Sequence, residues 1–309
     1  MMANQLTQAR SQATTTKYLY AFRRWEAFIE AEGGQAIPAE PIHVALYISS
    51  LIDQGVSLSV IQTAVYGIKW AHNIRGSSDP TSNEFIRNLL ETAKRKVSKP
   101  VVKKDIVTNE HIIALCNMYE RSQDVLEIRD LTIIVLGFSG FLRFDEIRSL
   151  RAKDIVFHDD YFTLQLPKSK TEQYRKGDSI LIAKGKTTAC PYLTLQKYFR
   201  LAGIVADSEE YIFRPVFYHK GNKNLIQKNK AISYTRARET VVSRLKEVCG
   251  EANVGLHSLR AGGATAAARA SVNDRLWKRH GRWKSDAAKD GYVDDSVEHK
   301  LSVTRALNL

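Results

Sequence analysis

The chain has 309 residues with 46 Lys and Arg against 33 Asp and Glu, a formal charge of +13 at pH 7. A hydrophobic content of 44% suffices for a sizeable core in one large or two ordinary domains, and the positive surplus favours a polyanionic partner, nucleic acid first. No run approaches the roughly 18 apolar residues of a membrane span, and the polar N-terminus lacks a signal-peptide core, so the expectation is an intracellular protein with no membrane partner.

The three cysteines, Cys116, Cys190 and Cys249, are odd in number and far apart, which argues against a disulfide framework or a zinc pair. The eight histidines show no metal-ligand spacing, and no glycine-rich loop of the Walker type occurs. No metal and no cofactor are expected.

Residues 1–13 are polar. Thr14 to Thr16 then offer an N-cap for a helix running to about Glu32, with Tyr18, Phe22, Trp25, Phe28 and Ile29 as its apolar stripe. A second helix is predicted from Pro41 to Gly55 on Val44, Ala45, Tyr47, Ile48, Leu51 and Ile52, a third from Ser57 to Gly76, and a fourth around Phe85, Ile86, Leu89 and Leu90. Together they make a small bundle whose aromatics read as core.

Between this bundle and the rest, Lys94, Arg95, Lys96, Lys99, Lys103 and Lys104 give six positive charges and no negative one. Such a run reads either as a solvated linker or as a strap across a phosphate backbone.

A second domain starts near Thr108, an N-cap for a helix burying Ile112, Ile113 and Leu115. An apolar helix over Leu131 to Phe138 follows and Gly140 ends it, so Arg143 opens the next helix with Glu146 one turn on. An Arg at a helix N-terminus adds to an existing anion site, whereas an ordinary surface pair with Glu146 would contribute little. Period-2 alternation marks strands at Ile155 to Phe157, Tyr161 to Leu166 and Ile180 to Ile182, with Lys168 and Lys170 on the connecting arm. Helices are predicted over 187–203 and 229–249, with a basic loop between them carrying Lys220, Lys223, Lys228 and Lys230. The fold class is therefore mainly α with a small antiparallel β-sheet (α+β).

The last fifty residues hold the densest chemistry. His257 and Arg260 are three apart on one helix face, and Arg is shaped to fork onto phosphate oxygens. Trp283 follows in Gly281, Arg282, Trp283, and Lys289, Asp290, Gly291 then deliver Tyr292. Each alone reads as structural; in order, two basic groups, an indole donor and a phenol suggest phosphoryl transfer to Tyr292. Beyond it, Val297, Leu301, Ala306 and Leu307 form a short amphipathic tail that needs a surface.

The run from His257 to Arg260, then Trp283, then Tyr292, resembles the second catalytic box of the tyrosine recombinases, or phage integrase family, with the Trp of the Cre type. The stretch from Gly140 to Leu150 resembles the first box, with Phe144 and Asp145 where many relatives carry small residues. The resemblance covers about 200 residues well and the N-terminal hundred loosely.

It implies a two-domain DNA clamp: a helical core-binding (SAM-like) domain over 1–97, a basic linker over 98–107, and a catalytic domain with a C-terminal docking helix over 108–309. It also implies Arg143, Lys170, His257, Arg260 and Trp283 as catalytic residues, Tyr292 as nucleophile and Glu146 in support of His257 or Arg143, with Lys170 chosen over Lys168. Lys94, Arg95, Lys99, Lys103, Lys104 and Lys168 become candidate DNA contacts. The implied activity is site-specific recombination or integration of double-stranded DNA by a homotetramer on two DNA sites, without metal or ATP, in the compartment that holds the genome. Relaxation of the type IB topoisomerase kind, or a catalytically silent DNA-binding regulator, are the alternatives.

Overall fold

Helix α1 (Gln12–Ala31) begins where the Ser11 hydroxyl accepts the Thr14 amide, three residues earlier than the threonine run suggested. The computed structural model describes residue 5 and residues 9–100, 102–166, 178–219 and 221–307. It divides into two compact units, Met1–Val102 and Lys103–Leu309.

In the first unit, α1 packs on α3 (Leu58–Arg75), and α2 (Pro41–Asp53) packs on α4 (Glu84–Val97). Their apolar stripes meet in one core of Phe22, Trp25, Ile48, Ile61, Ile68 and Ile86, whose burial is the main force holding four short helices together. Trp25 is fully buried and donates its indole hydrogen to the Ala36 carbonyl at 3.2 Å. The expected basic strap starts inside this unit: Lys94, Arg95 and Lys96 form the last turn of α4, where cations suit the negative end of the helix dipole. Lys94, Arg95, Lys99, Lys103 and Lys104 are all exposed.

The second unit is built around α6 (Val125–Ser139), buried on nearly every face. Its N-cap, Asp124, accepts the amides of Leu126 and Glu127. Against it pack α5 (Asn109–Met118), α7 (Phe144–Ser149), α8 (Pro191–Ala202), α9 (Tyr234–Cys249) and α10 (Leu256–Arg269). Three strands, β1 (Ile155–Phe157), β2 (Tyr161–Leu166) and β3 (Asp178–Ala183), form an antiparallel sheet in chain order, with Leu164 opposite both Ile155 and Ile180. That alternation sends Phe162, Leu164 and Leu166 into the core.

A second, two-stranded sheet, β4 (Val216–His219) with β5 (Asn222–Leu225), stands where a loop was expected. Lys223 from that loop is tied by an ion pair to Asp124. Helices α11 (Asp274–His280), α12 (Asp286–Asp290) and α13 (Val297–Arg305) finish the described chain.

Helix α10 approaches its neighbours at main-chain distance. A Cβ on Gly262 would lie 1.9 Å from the Val107 carbonyl oxygen, and one on Gly263 would lie 2.2 Å from that of Phe138. The glycines of this helix therefore serve close packing.

Candidate active site

The turn that ends α6 starts the site. Gly140 closes the helix, Phe141 takes a left-handed φ of 46°, and Arg143 becomes the N-cap of α7. The Glu146 carboxylate turns back on this cap. One oxygen accepts the Arg143 amide at 2.8 Å and the other accepts its guanidinium at 2.9 Å. Glu146 is only 2% exposed, so this is a buried pair and not a surface one. Burial raises its carboxyl, but Arg282, then the amide and guanidinium of Arg143, outweigh it and hold the group below the usual carboxylate range. Asp145 is exposed and pairs with Arg148 at 2.9 Å, so Glu146 is the carboxylate that supports Arg143.

From α10, Arg260 enters the same region fully buried. Its guanidinium donates to the Phe141 carbonyl and, at 2.6 Å, to the Gly281 carbonyl. Its central carbon lies 4.4 Å from the Trp283 ring centroid and 5.1 Å from that of Tyr292. Burial, with the charges of Arg143 and Arg282 nearby, pushes its pKa down to about 10, so it stays cationic at neutral pH.

The loop after α11 supplies the rest. Arg282, with a φ of 56°, sends its guanidinium to Glu146 at 2.8 Å and to the His280 carbonyl at 2.7 Å. His280 donates to the Ser139 carbonyl at 2.8 Å, and burial lowers its pKa. Trp283 packs with Phe141, Trp277 and Ala264, and its ring centroid lies 5.4 Å from that of Tyr292. Tyr292 itself is half-buried, two residues past α12.

Lys289 fixes that turn. Its ammonium is buried, pairs with Asp274 and with Asp290 at 3.2 Å, and lies 4.4 Å over the Trp277 ring, while its carbonyl accepts the Tyr292 amide at 3.0 Å.

Three donors here have no acceptor. Among the described residues, the buried side-chain polar atoms without a hydrogen-bond partner include Arg260 Nε, Arg282 Nε and Trp283 Nε1. A buried donor left unpaired costs about 1–3 kcal/mol. Two of them, Arg260 Nε and Trp283 Nε1, belong to side chains packed near the Tyr292 ring, a donor set whose chemistry suits an anion rich in oxygen.

Of the site residues expected from sequence, Arg143, Glu146, Arg260, Trp283 and Tyr292 are brought together. His257 lies on α10 one turn before Arg260 and is exposed. Lys168 and Lys170 lie outside the described residues. Arg282, His280 and Lys289 were passed over as site residues. The signal for Arg282 and Lys289 was their place within Gly281-Arg282-Trp283 and before Tyr292; His280 gave none. No group of three or more His, Cys, Asp or Glu among the described residues could hold a metal ion.

No protein-family model matches the chain. An integrase/recombinase XerD homologue of Selenomonas ruminantium is 23% identical over 292 residues, covering 94% of this chain and 83% of that protein. The recombinase Cre of Escherichia phage P1 is 24% identical over 318 residues, covering 97% and 89%. Among solved structures, the XerH site-specific recombinase in a post-cleavage complex with a palindromic difH substrate matches with a TM-score of 0.63 at 15% identity, over 96% of this chain and 78% of that one. The Tn1549 transposon integrase with transposon right-end DNA matches at 0.58 and 13% identity over the whole of both chains. These structural likenesses agree with the α+β architecture described above.

Proposed function

We propose that this chain, a member of the tyrosine recombinase family, is a site-specific recombinase or integrase that cuts and rejoins double-stranded DNA through a 3′-phosphotyrosyl bond to Tyr292. The observation that carries the reading is the pair of buried, unpartnered donors Arg260 Nε and Trp283 Nε1, on side chains packed near the Tyr292 ring.

A phosphodiester resists attack because its oxygens are anionic and charge builds as the nucleophile approaches, so fixed cationic donors are the main requirement. Arg143 and Arg260 supply the charge and Trp283 donates its indole hydrogen to a non-bridging oxygen. Tyr292 Oη attacks phosphorus, the bond to the 5′ oxygen breaks, and that oxygen takes a proton. Lys170 fills the general-acid role that the family resemblance gives it, and His257 donates to the phosphate or accepts the phenol proton. The phosphotyrosyl ester conserves the energy of the broken backbone bond, so rejoining a new 5′ hydroxyl needs neither ATP nor metal. Lys94, Arg95, Lys99, Lys103, Lys104 and Lys168 act as phosphate contacts, and four protomers hold two duplexes.

The test is recovery of protein-linked DNA after mixing the chain with sheared genomic DNA and denaturing. Adducts at a shared sequence, attached through a 3′ phosphate, are expected. DNA that is bound but never linked would leave a silent DNA-binding protein and overturn the reading.

A further inference from the structure

The Arg282 side chain joins the Gly140–Glu146 turn to the loop carrying Trp283. Arg282 Nη2 donates to Glu146 Oε2 at 2.8 Å and to the Phe141 carbonyl at 3.2 Å, while Nη1 donates to the His280 carbonyl at 2.7 Å and reaches the Gly140 carbonyl at 3.4 Å. Two of these four acceptors, Glu146 and the Phe141 carbonyl, are shared with a proposed phosphate ligand. Glu146 also holds the amide and guanidinium of Arg143, and the Phe141 carbonyl also accepts Arg260.

The geometry points to Arg282 as a positioning residue for the proposed DNA cleavage: it fixes Glu146 and the Phe141 carbonyl, and through them the guanidinium groups of Arg143 and Arg260. The inference rests on the recombinase reading above.

Three further facts support it. Arg282 holds a φ of 56°, a conformation glycine would adopt without strain, so its side chain must return more than the backbone loses. Its side chain is nearly buried, and both terminal nitrogens donate to protein groups. Burial works against a charged Glu146, and the Arg282 charge is foremost among the influences that keep the carboxylate ionised. Removing Arg282 therefore lets Glu146 take a proton at higher pH, at which point it accepts one hydrogen bond fewer and loosens Arg143.

The experiment compares wild type with Arg282→Met, Arg282→Gly, Arg282→Lys and Glu146→Gln on a nicked DNA duplex carrying a sequence captured by wild type. Single-turnover adduct formation is followed against pH, with affinity for the same duplex and melting temperature measured in parallel. Arg282→Met and Arg282→Gly are expected to slow adduct formation roughly a hundredfold, as a misplaced reacting group does, with duplex affinity changed only a few fold.

The acid limb of the Arg282→Met profile should move to higher pH, and the Arg282→Met, Glu146→Gln double variant should be no slower than the slower single. Arg282→Lys, which keeps the charge but not the fork, should recover part of the rate and leave the acid limb in place. It carries the test if the other two melt below assay temperature. Rates within a few fold of wild type, or slowing matched by lost affinity with an unmoved acid limb, overturn the inference alone. A wild-type chain that forms no adduct on any DNA overturns the recombinase reading and this inference with it.

Discussion

The Arg260 guanidinium stacks 4.4 Å from the centre of the Trp283 ring, and neither side chain is more than 7% exposed. A cation held against an aromatic face, with two of its nitrogens already on backbone carbonyls, has little freedom to reorganise. Such a group meets developing negative charge without moving. Arg260→Ala, like Arg143→Ala, should therefore lower adduct formation by about 2.7–4 kcal/mol of activation energy, the loss seen when one preorganised donor is removed. A loss of tenfold or less in single-turnover cleavage would remove the residue from the phosphate pocket.

Tyr292→Phe keeps the ring that packs on Trp283 and deletes only the nucleophile. Gel-shift affinity should be nearly unchanged while protein-linked DNA disappears from denaturing gels. Adduct that persists would place the nucleophile elsewhere.

Trp283→Phe separates activity from stability. The indole hydrogen is buried without an acceptor, so removing it should leave the melting temperature unchanged or slightly higher, apart from a cost for the smaller ring. Cleavage should fall, because the hydrogen's proposed partner is the substrate. A variant that melts lower yet cleaves at the wild-type rate would make Trp283 a packing residue.

Glu146 links the site to pH. Its folded-state carboxyl lies below its ordinary value of about 4.3, so it contributes stability that is complete above that value and is lost as pH falls through the folded-state value. Thermal melts of wild type and Glu146→Gln should therefore converge as the solution is acidified below about pH 4.3, and differ most at neutrality. A constant gap across that window would mean that the carboxylate is not ionised in the folded protein.

Helix α13 buries none of its own residues, and Val297, Leu301, Val303 and Leu307 are exposed. A helix of nine residues is marginal alone, which favours the proposal that it docks on a neighbouring protomer in a closed ring. Deleting residues 297–309 should preserve duplex binding by single protomers and abolish assembly on a two-site DNA in sedimentation. Tetramers that persist without the tail would show that assembly rests on another surface.

Much of this architecture could be read from one dimension because its causes are local. Thr108 caps α5 as its sequence position indicates, although the reciprocal bond comes from His111 and not from a carboxylate. Trp25, Ile48 and Leu115 fall in the core because the helical period puts them there. What escaped has non-local causes. Strands β4 and β5 are four residues each and carry lysine, histidine and asparagine, so no alternation announces them. Helices α11 and α12 have seven and five residues, too few to establish a period. Arg282 is hidden for a different reason. Its burial depends on carbonyls of Gly140 and Phe141, more than a hundred positions earlier, which only the folded chain brings to it.

The main-chain contact at Gly262 and Gly263 bears on how such a chain can change. Because α10 meets the carbonyls of Val107 and Phe138 with no side chain between them, main-chain contact at these two positions limits how far Arg260 can shift relative to the Gly140–Glu146 turn. Volume-conserving exchanges among the leucines, isoleucines and valines of the core cost only modest stability. A single methyl at Gly262 has no such latitude. Mutational tolerance in this fold is therefore unevenly distributed: wide in the hydrophobic interior, and narrow at two positions that carry no side chain and make no contact with any ligand in the proposed chemistry.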